Sequence, residues 1–213
     1  MANLADMARR LKPRDALRAK FPGTGVLPPL ILMTDIHRLP DAGAAVAMLP
    51  KGSAVILRHP DGARRRVQAR SLLPFCRACG VLLLIAGDAR LAAELGADGI
   101  HLPAAMLRSG SRVWRLWRRN WLVTAAAHSP AALHRAWRAG ADVALLSPVF
   151  TTASHPEANT LGPLRFAAWC RSSPLPVYAL GGITALTARR LAHGGAVGFA
   201  GIGGLRLRRE GGD

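Results

Sequence analysis

The sequence predicts an α/β chain closed into a (β/α)8 barrel, and three observations carry that reading. Its 213 residues suit one domain. Eight short apolar runs recur along it, near-continuous rather than alternating, as strands buried on both faces read. Segments with a helical period separate most of these runs, the pattern of strands joined by crossover helices. A doubly wound open sheet is the runner-up architecture, but such a sheet rarely needs eight strands in so short a chain.

Residues 1–26 form a basic arm with six Lys or Arg and two acids. Leu4, Met7, Leu11 and Leu17 give it a partial apolar face, and Pro13 breaks its helix. The arm is expected to plug the barrel bottom or to pack beside the barrel. The barrel proper spans 27–205. Its strands are expected in 27–35, 53–60, 80–87, 98–104, 121–129, 142–150, 175–183 and 196–204. Helical periods lie in 65–79, 89–95, 111–120, 130–139, 163–172 and 185–193. In the first of these, Val67, Leu72 and Phe75 fall near one face, and Pro74 is expected to distort the helix. Gly96-Ala97-Asp98, Gly140-Ala141-Asp142 and Gly195-Ala196-Val197 each close a helix and open a strand. Glycine there suits a left-handed cap. Asp98 and Asp142 therefore belong to the N-terminal face of the barrel, where residues serve stability, and read as turn acids. The basic tail, 206–213, leaves the last helix truncated. The seam between strands eight and one is expected to be shielded by the arm or by a second subunit.

Composition narrows the function. Lys and Arg number 29 and acids 12, a formal balance of +17, while half the residues are hydrophobic and mean hydropathy is +0.18. So apolar a chain is not a disordered polycation. No apolar run approaches the eighteen residues of a membrane span, and the first residues lack the apolar core of a secretory signal. Three cysteines argue against a disulfide scaffold and fit a reducing cytoplasm. Arginine supplies 26 of the 29 positive residues, in blocks over 64–77 and 108–138 without an acid. Such stripes attract nucleic acid or other phosphates, but their helical spacing favours solvated helix faces.

In a barrel the site lies at the C-terminal ends of the strands. Those ends offer Thr34 and Asp35, Arg58 and His59, Gly87 and Asp88, His101, and then His128 and Ser129. The loop after strand six carries Thr151, Thr152, Ser154 and His155; the hydroxyls can donate to phosphate oxygens and the imidazolium can add charge. Gly181 and Gly182 follow strand seven, and Gly201, Ile202 and Gly203 close strand eight. Glycine lets backbone amides approach a ligand, and phosphate sites of barrels use these two loops. His37, His59, His134 and His193 read as surface or loop residues. Cys76 and Cys79 form a lone CxxC inside a helical run, without the second pair a zinc site needs. There is no Walker A loop and no GxGxxG after the first strand.

Together ADGIHLP (97–103), AHS (127–129), GADVALLSPVFTTASHP (140–156), LG (161–162), LPVYALGGI (175–183) and GAVGFAGI (195–202) resemble the thiamine-phosphate synthase/TenI superfamily over residues 27–205. The resemblance implies a TIM barrel that binds thiazole phosphate or a thiamine-like product. Synthase members join hydroxymethylpyrimidine diphosphate to thiazole phosphate, with magnesium, and release pyrophosphate. By resemblance Arg58 matches the diphosphate-contacting arginine, Thr152 and Ser154 the hydroxyl pair after strand six, and Gly181, Gly182, Ile202 and Gly203 the thiazole-phosphate cradle. The pattern also departs. The family's Gln-x-Arg reads Ile56-Leu57-Arg58, and its Asn-Asp-Arg reads Ala86-Gly87-Asp88, which puts glycine at a magnesium aspartate. The second magnesium aspartate falls near Met106, the lysine after strand six is His155, and a serine before the strand-five histidine is Ala126. Asp35 and Asp88 are the carboxylates left near the mouth for Mg²⁺, a metal that takes oxygen ligands. The tautomerase histidine of the TenI branch lies where this chain has Pro148; His155 or His101 is a candidate acid–base group in its place.

Two readings of one site follow: a synthase-like transferase, or a TenI-like barrel that isomerises or only binds a phosphorylated thiazole. A third, from another class, is a nucleic-acid-binding or scaffold protein that uses the arginine faces. The expected partners are phosphorylated thiazole and pyrimidine molecules and a second copy of the chain, not a membrane.

Overall fold

Each apolar run becomes a strand because both faces of it meet apolar partners. The computed structural model describes residues 4–11, 26–108, 120–152, 157 and 159–202. Its strands are β1 (Leu30–Met33), β2 (Ala54–Leu57), β3 (Leu82–Ala86), β4 (Gly99–Leu102), β5 (Leu122–Ala127), β6 (Val143–Leu146), β7 (Val177–Leu180) and β8 (Ala196–Gly201). All pairs are parallel, and β8 closes onto β1. Alternation of side chains across each strand then divides the core in two. Ile31, Met33, Ile56, Leu84, Leu145 and Tyr178 fill the barrel interior. Leu30, Leu32, Leu83 and Leu146 face the helical layer. The eight-stranded TIM barrel expected from the sequence is the fold.

The bottom of the barrel is closed from within. Tyr178 is fully buried and its hydroxyl donates to the Pro28 carbonyl at 2.6 Å. Gly198 faces that ring so closely that a Cβ would come within 2.4 Å of it, which excludes any larger residue. The N-terminal helix α1 (Leu4–Arg10) packs beside the barrel, against β8 and the helix that follows β7. Leu4 and Ala8 of the helix, and Leu11 just past its end, are buried at i, i+4 and i+7. Of the two placements open for the arm, the described part takes the lateral one, against β8 and the helix before it.

The helices correct the sequence reading in three places. A helix absent from it, α2 (Ala42–Ala47), follows β1 and is capped by Asp41, whose carboxylate accepts from the Ala44 amide at 2.8 Å. In α3 (Gly62–Cys79) the buried stripe is Ala69, Leu72, Leu73 and Cys76, spaced i, i+3, i+4 and i+7. Val67 and Phe75, expected beside Leu72, are instead 68% and 55% exposed. The helix also runs on through Pro74. Finally, the helix after β7 is short, Ala185–Arg189 rather than 185–193. The remaining helices are α4 (Ala89–Leu95), α5 (Pro130–Arg138) and α6 (Gly162–Ser172), with α7 naming Ala185–Arg189. The expected helix over 111–120 with Trp114 and Trp117, Pro13 and Leu17 of the arm, and the tail 206–213 lie outside the described residues, apart from Asn120.

The turn acids do structural work at the N-terminal face. Asp98 accepts from the Leu83 amide and Asp142 from the Val123 amide, both at 2.8 Å. Each carboxylate thereby pins the start of one strand to its neighbour. Gly96, at φ +66°, caps α4 in the left-handed conformation. The CxxC cysteines are free, and burial pushes the Cys76 thiol up to about 12, so it packs as a small apolar group rather than a thiolate.

Candidate active site

The C-terminal ends of the strands surround one cavity of about 1190 Å³. Its floor is the top inward layer of the barrel: Met33, Ala86, His101, Ala126 and Leu145. These residues share a level because parallel register sets Ala86 against His101 and Ala126 against Leu145. Arg58, Thr152, Gly181, Gly182, Gly201, Ile202 and Asp35 all line this cavity. Asp88 is not among the lining residues. Ser154, His155 and Gly203 lie outside the described residues.

Two loops form the glycine side. The chain after β6 is zipped to the chain after β7: the Val149 amide donates to the Leu180 carbonyl and the Phe150 amide to the Gly181 carbonyl, both at 3.0 Å. Gly182 has φ +65°, and a Cβ there would lie 2.6 Å from the Thr151 carbonyl oxygen and 2.7 Å from Phe150 Cβ. Glycine is therefore required by left-handed backbone and by close approach at once. Thr184 and Thr187 cap α7 reciprocally, and the Thr187 hydroxyl donates to the Gly182 carbonyl at 2.8 Å. This fixes the loop so that the Gly182 and Ile183 amides, without a protein acceptor among the described residues, stay beside the cavity. Gly201 and Ile202 border the same space from β8.

Arginines dominate the other side. Thr34 at the end of β1 clasps Arg58 at the end of β2: its hydroxyl accepts from the Arg58 amide at 2.9 Å, and the Arg58 Nε donates to the Thr34 carbonyl at 3.0 Å. Nη2 of Arg58 then reaches Asp35 Oδ2 at 3.2 Å, and Arg38 reaches the same oxygen at 3.3 Å. Burial alone would raise the Asp35 carboxyl. The Arg38 and His37 amides and the two guanidiniums outweigh it and hold Asp35 below the usual carboxylate range. Arg65, in the first turn of α3, donates to the His59 and Ala86 carbonyls and pairs with Asp88 at 3.3 Å. It staples the loops after β2 and β3 together.

The histidines divide by burial. His101 is buried, with Nδ1 2.8 Å from the Thr124 hydroxyl; burial, aided by the Arg58 charge, pushes its pKa down to about 3. It is a neutral wall residue, unsuited to donate a proton near neutral pH. His128 lies at the rim, its Nδ1 2.9 Å from the Ser147 carbonyl. His59 corrects the sequence reading: it is buried beneath the β2 loop, against Asp61, and lines the cavity.

The family model described as thiamine monophosphate synthase matches residues 31–205 of this sequence. The chain belongs to that family. A thiamine-phosphate synthase of Nitrosococcus oceani is 33% identical over 191 residues, spanning 85% of this chain and 86% of the relative. A putative thiamine-phosphate synthase 2 of Aquifex aeolicus is 36% identical over 73% of this chain and 84% of its own. In fold, a thiamine phosphate pyrophosphorylase from Pyrococcus furiosus superposes with a TM-score of 0.68 over 87% of each chain at 23% identity.

Within this thiamine monophosphate synthase family chain, the described mouth does not fit a carboxylate cage for magnesium. No cluster of three or more His, Cys, Asp or Glu suited to a metal occurs among the described residues. Asp35 already carries two guanidiniums. Asp88 caps α4 through the Leu91 amide at 2.9 Å and pairs with Arg65. A divalent ion at either carboxylate would have to displace arginines and sit among them. Sequence reasoning named Thr34 at a strand end without a role and passed over Arg38, Arg65 and Thr124. Only Arg65 carried a usable signal, since the first turn of a helix after a barrel strand stands at the mouth.

Proposed function

We propose that this chain is a transferase of thiamine biosynthesis that joins hydroxymethylpyrimidine diphosphate to thiazole phosphate and releases pyrophosphate. One observation carries this reading. A single cavity holds the glycine loops of β7 and β8 and the guanidinium of Arg58 on β2, with an apolar floor beneath them. Two anionic substrates need two such anchors around one reaction space. The thiazole phosphate is held by the amides at Gly181, Gly182, Gly201 and Ile202. Thr152 lines the same rim.

The chemistry suits that arrangement. The bond between the pyrimidinylmethyl carbon and the diphosphate oxygen breaks, and its electron pair leaves on pyrophosphate. The thiazole nitrogen lone pair then captures the pyrimidinylmethyl cation, forming the new C–N bond without a proton transfer. Arg58 stabilises charge that grows on the leaving group, a preorganised electrostatic contribution. Met33, Ala86, Ala126 and Leu145 exclude water that would otherwise trap the cation. Burial keeps His101 neutral, so the wall places no imidazolium against a developing cation.

A second reading, a TenI-like binder or isomerase of a phosphorylated thiazole, is favoured by the pairing of both candidate metal carboxylates, Asp35 and Asp88, with arginine. The tautomerase position is Pro148, and His101 stays neutral, which leaves that branch without its acid among the described residues. One experiment separates the readings: incubation with both substrates while pyrophosphate and thiamine phosphate are measured. Formation of both products supports the transferase. Binding of thiazole phosphate with no product overturns it in favour of the binder. No described helix is long and apolar enough to cross a membrane, and three free thiols suit a reducing, cytoplasmic setting.

A further inference from the structure

We propose that His101, held in one tautomer by Thr124, selects the pyrimidine substrate: its bare Nε2 accepts from the exocyclic amine of the hydroxymethylpyrimidine ring. The inference rests on the transferase reading and adds how that ring is told from one without the amine. Of the floor residues Met33, Ala86, His101, Ala126 and Leu145, His101 alone is polar. A flat ring laid on this floor meets one polar group, the arrangement by which small-molecule sites fix orientation. His101 also stands on the Arg58 side of the cavity. Parallel register sets it against Ala86 on β3, which neighbours β2, and the Arg58 charge is felt at its ring. The ring it meets is therefore the one joined to the diphosphate.

Hydrogen bonding fixes which nitrogen carries the proton. Nδ1 lies 2.8 Å from the Thr124 hydroxyl. That hydroxyl donates to an acceptor of its own, the Ile100 carbonyl at 3.5 Å. Its oxygen is left to accept from Nδ1–H, and Nε2 keeps a lone pair. The Arg58 guanidinium favours the same tautomer, because it draws the negative end of the imidazole dipole toward the mouth. Nε2 has no partner among the described residues, although His101 is 3% exposed and borders the cavity. A buried acceptor left unmet is costly, and a ligand N–H satisfies it. Thr124 is not a lining residue, so it acts through His101 as a positioning residue. Burial keeps the ring neutral far below neutral pH, so the acceptor persists. A ring with hydrogen in place of the amine leaves the lone pair unmet, and sites built around a hydrogen bond reject such analogues.

The probes are hydroxymethylpyrimidine diphosphate and its analogue with hydrogen in place of the amine, titrated calorimetrically into the full chain in excess magnesium. The amine form should bind about tenfold more tightly, the worth of one hydrogen bond. His101→Phe keeps a flat ring and removes the acceptor. The amine form should then weaken about tenfold to meet the analogue, whose own affinity stays constant. Thr124→Val keeps the shape and removes the hydroxyl, so the preference should shrink, whereas Thr124→Ser should retain it. That pair tests the inference even where His101→Phe fails to fold. Nitrogen NMR of the histidine-labelled chain should show His101 protonated at Nδ1 alone, with the Nε2 signal moved by the amine form and not by the analogue. An Nε2–H tautomer in the free chain, equal affinity for the two probes, or equal weakening of both by His101→Phe each overturns the inference; with product still formed in the two-substrate assay, the transferase reading stands. No binding of either probe, together with no product, overturns both.

Discussion

Replacing Gly182 by alanine tests whether the phosphate loop is held by close approach or only by backbone torsion. Gly182 and Gly162 share φ +65°, so alanine pays the same left-handed penalty at both, about 1 kcal/mol. At Gly162 the added methyl meets nothing within 4 Å. At Gly182 it overlaps the Thr151 carbonyl oxygen at 2.6 Å and Phe150 Cβ at 2.7 Å. Those atoms cannot withdraw freely, because Phe150 is tied through its amide to the Gly181 carbonyl. Overpacking of this kind costs about 1–3 kcal/mol. Gly182→Ala should therefore destabilise by about 2–4 kcal/mol and Gly162→Ala by about 1 kcal/mol. Urea unfolding at constant m-value measures both. Calorimetry with thiazole phosphate should show affinity lost at Gly182→Ala and retained at Gly162→Ala. Equal urea midpoints for the two variants would refute the close-approach argument. A Gly182→Asp variant should lose the ligand too. The first cause is steric, since the new side chain starts against the β6 loop, and its charge is secondary.

Asp98→Ala and Asp142→Ala should each cost about 1–3 kcal/mol, because each leaves a strand amide without its acceptor; urea midpoints should fall while ligand affinity, set at the opposite face, stays constant. His101 gives a pH signature. Its folded pKa, about 3, lies below the ordinary 6.5, so the unfolded chain takes up a proton that the folded chain refuses. The stability it contributes is complete above 6.5 and is lost as pH falls toward 3, with a slope of about 1.4 kcal/mol per pH unit. His101→Gln should remove that slope from the stability–pH curve; an unchanged slope would show that other groups set it. Cys76, with its thiol raised to about 12 and fully buried, should resist alkylation in the native state and react after unfolding. Rapid native labelling at Cys76 would contradict its packing in α3.

The sequence by itself determined the barrel. Continuous apolar runs specify strands buried on both faces, and the glycines that end helices before Ala97 and Ala141 mark where each unit closes. It also located Arg58, Gly181, Gly182, Gly201 and Ile202 at one end, because strand polarity puts every C-terminal end on the same face. Helix faces were less legible. Val67 and Phe75 share a helical period with Leu72 but point outward, since the neighbouring strands choose which of several apolar stripes to bury. Only the tertiary structure decided the chemistry of the mouth. Asp35 and Asp88 read as free carboxylates until folding brought Arg58 to one and Arg65 to the other. Ion pairs between loops 23 residues apart depend on how β1, β2 and β3 line up, and no local pattern encodes that alignment. The same alignment buries His101 beside Thr124 and neutralises it. Local sequence fixes where a strand ends; the field at that end is summed over all its neighbours.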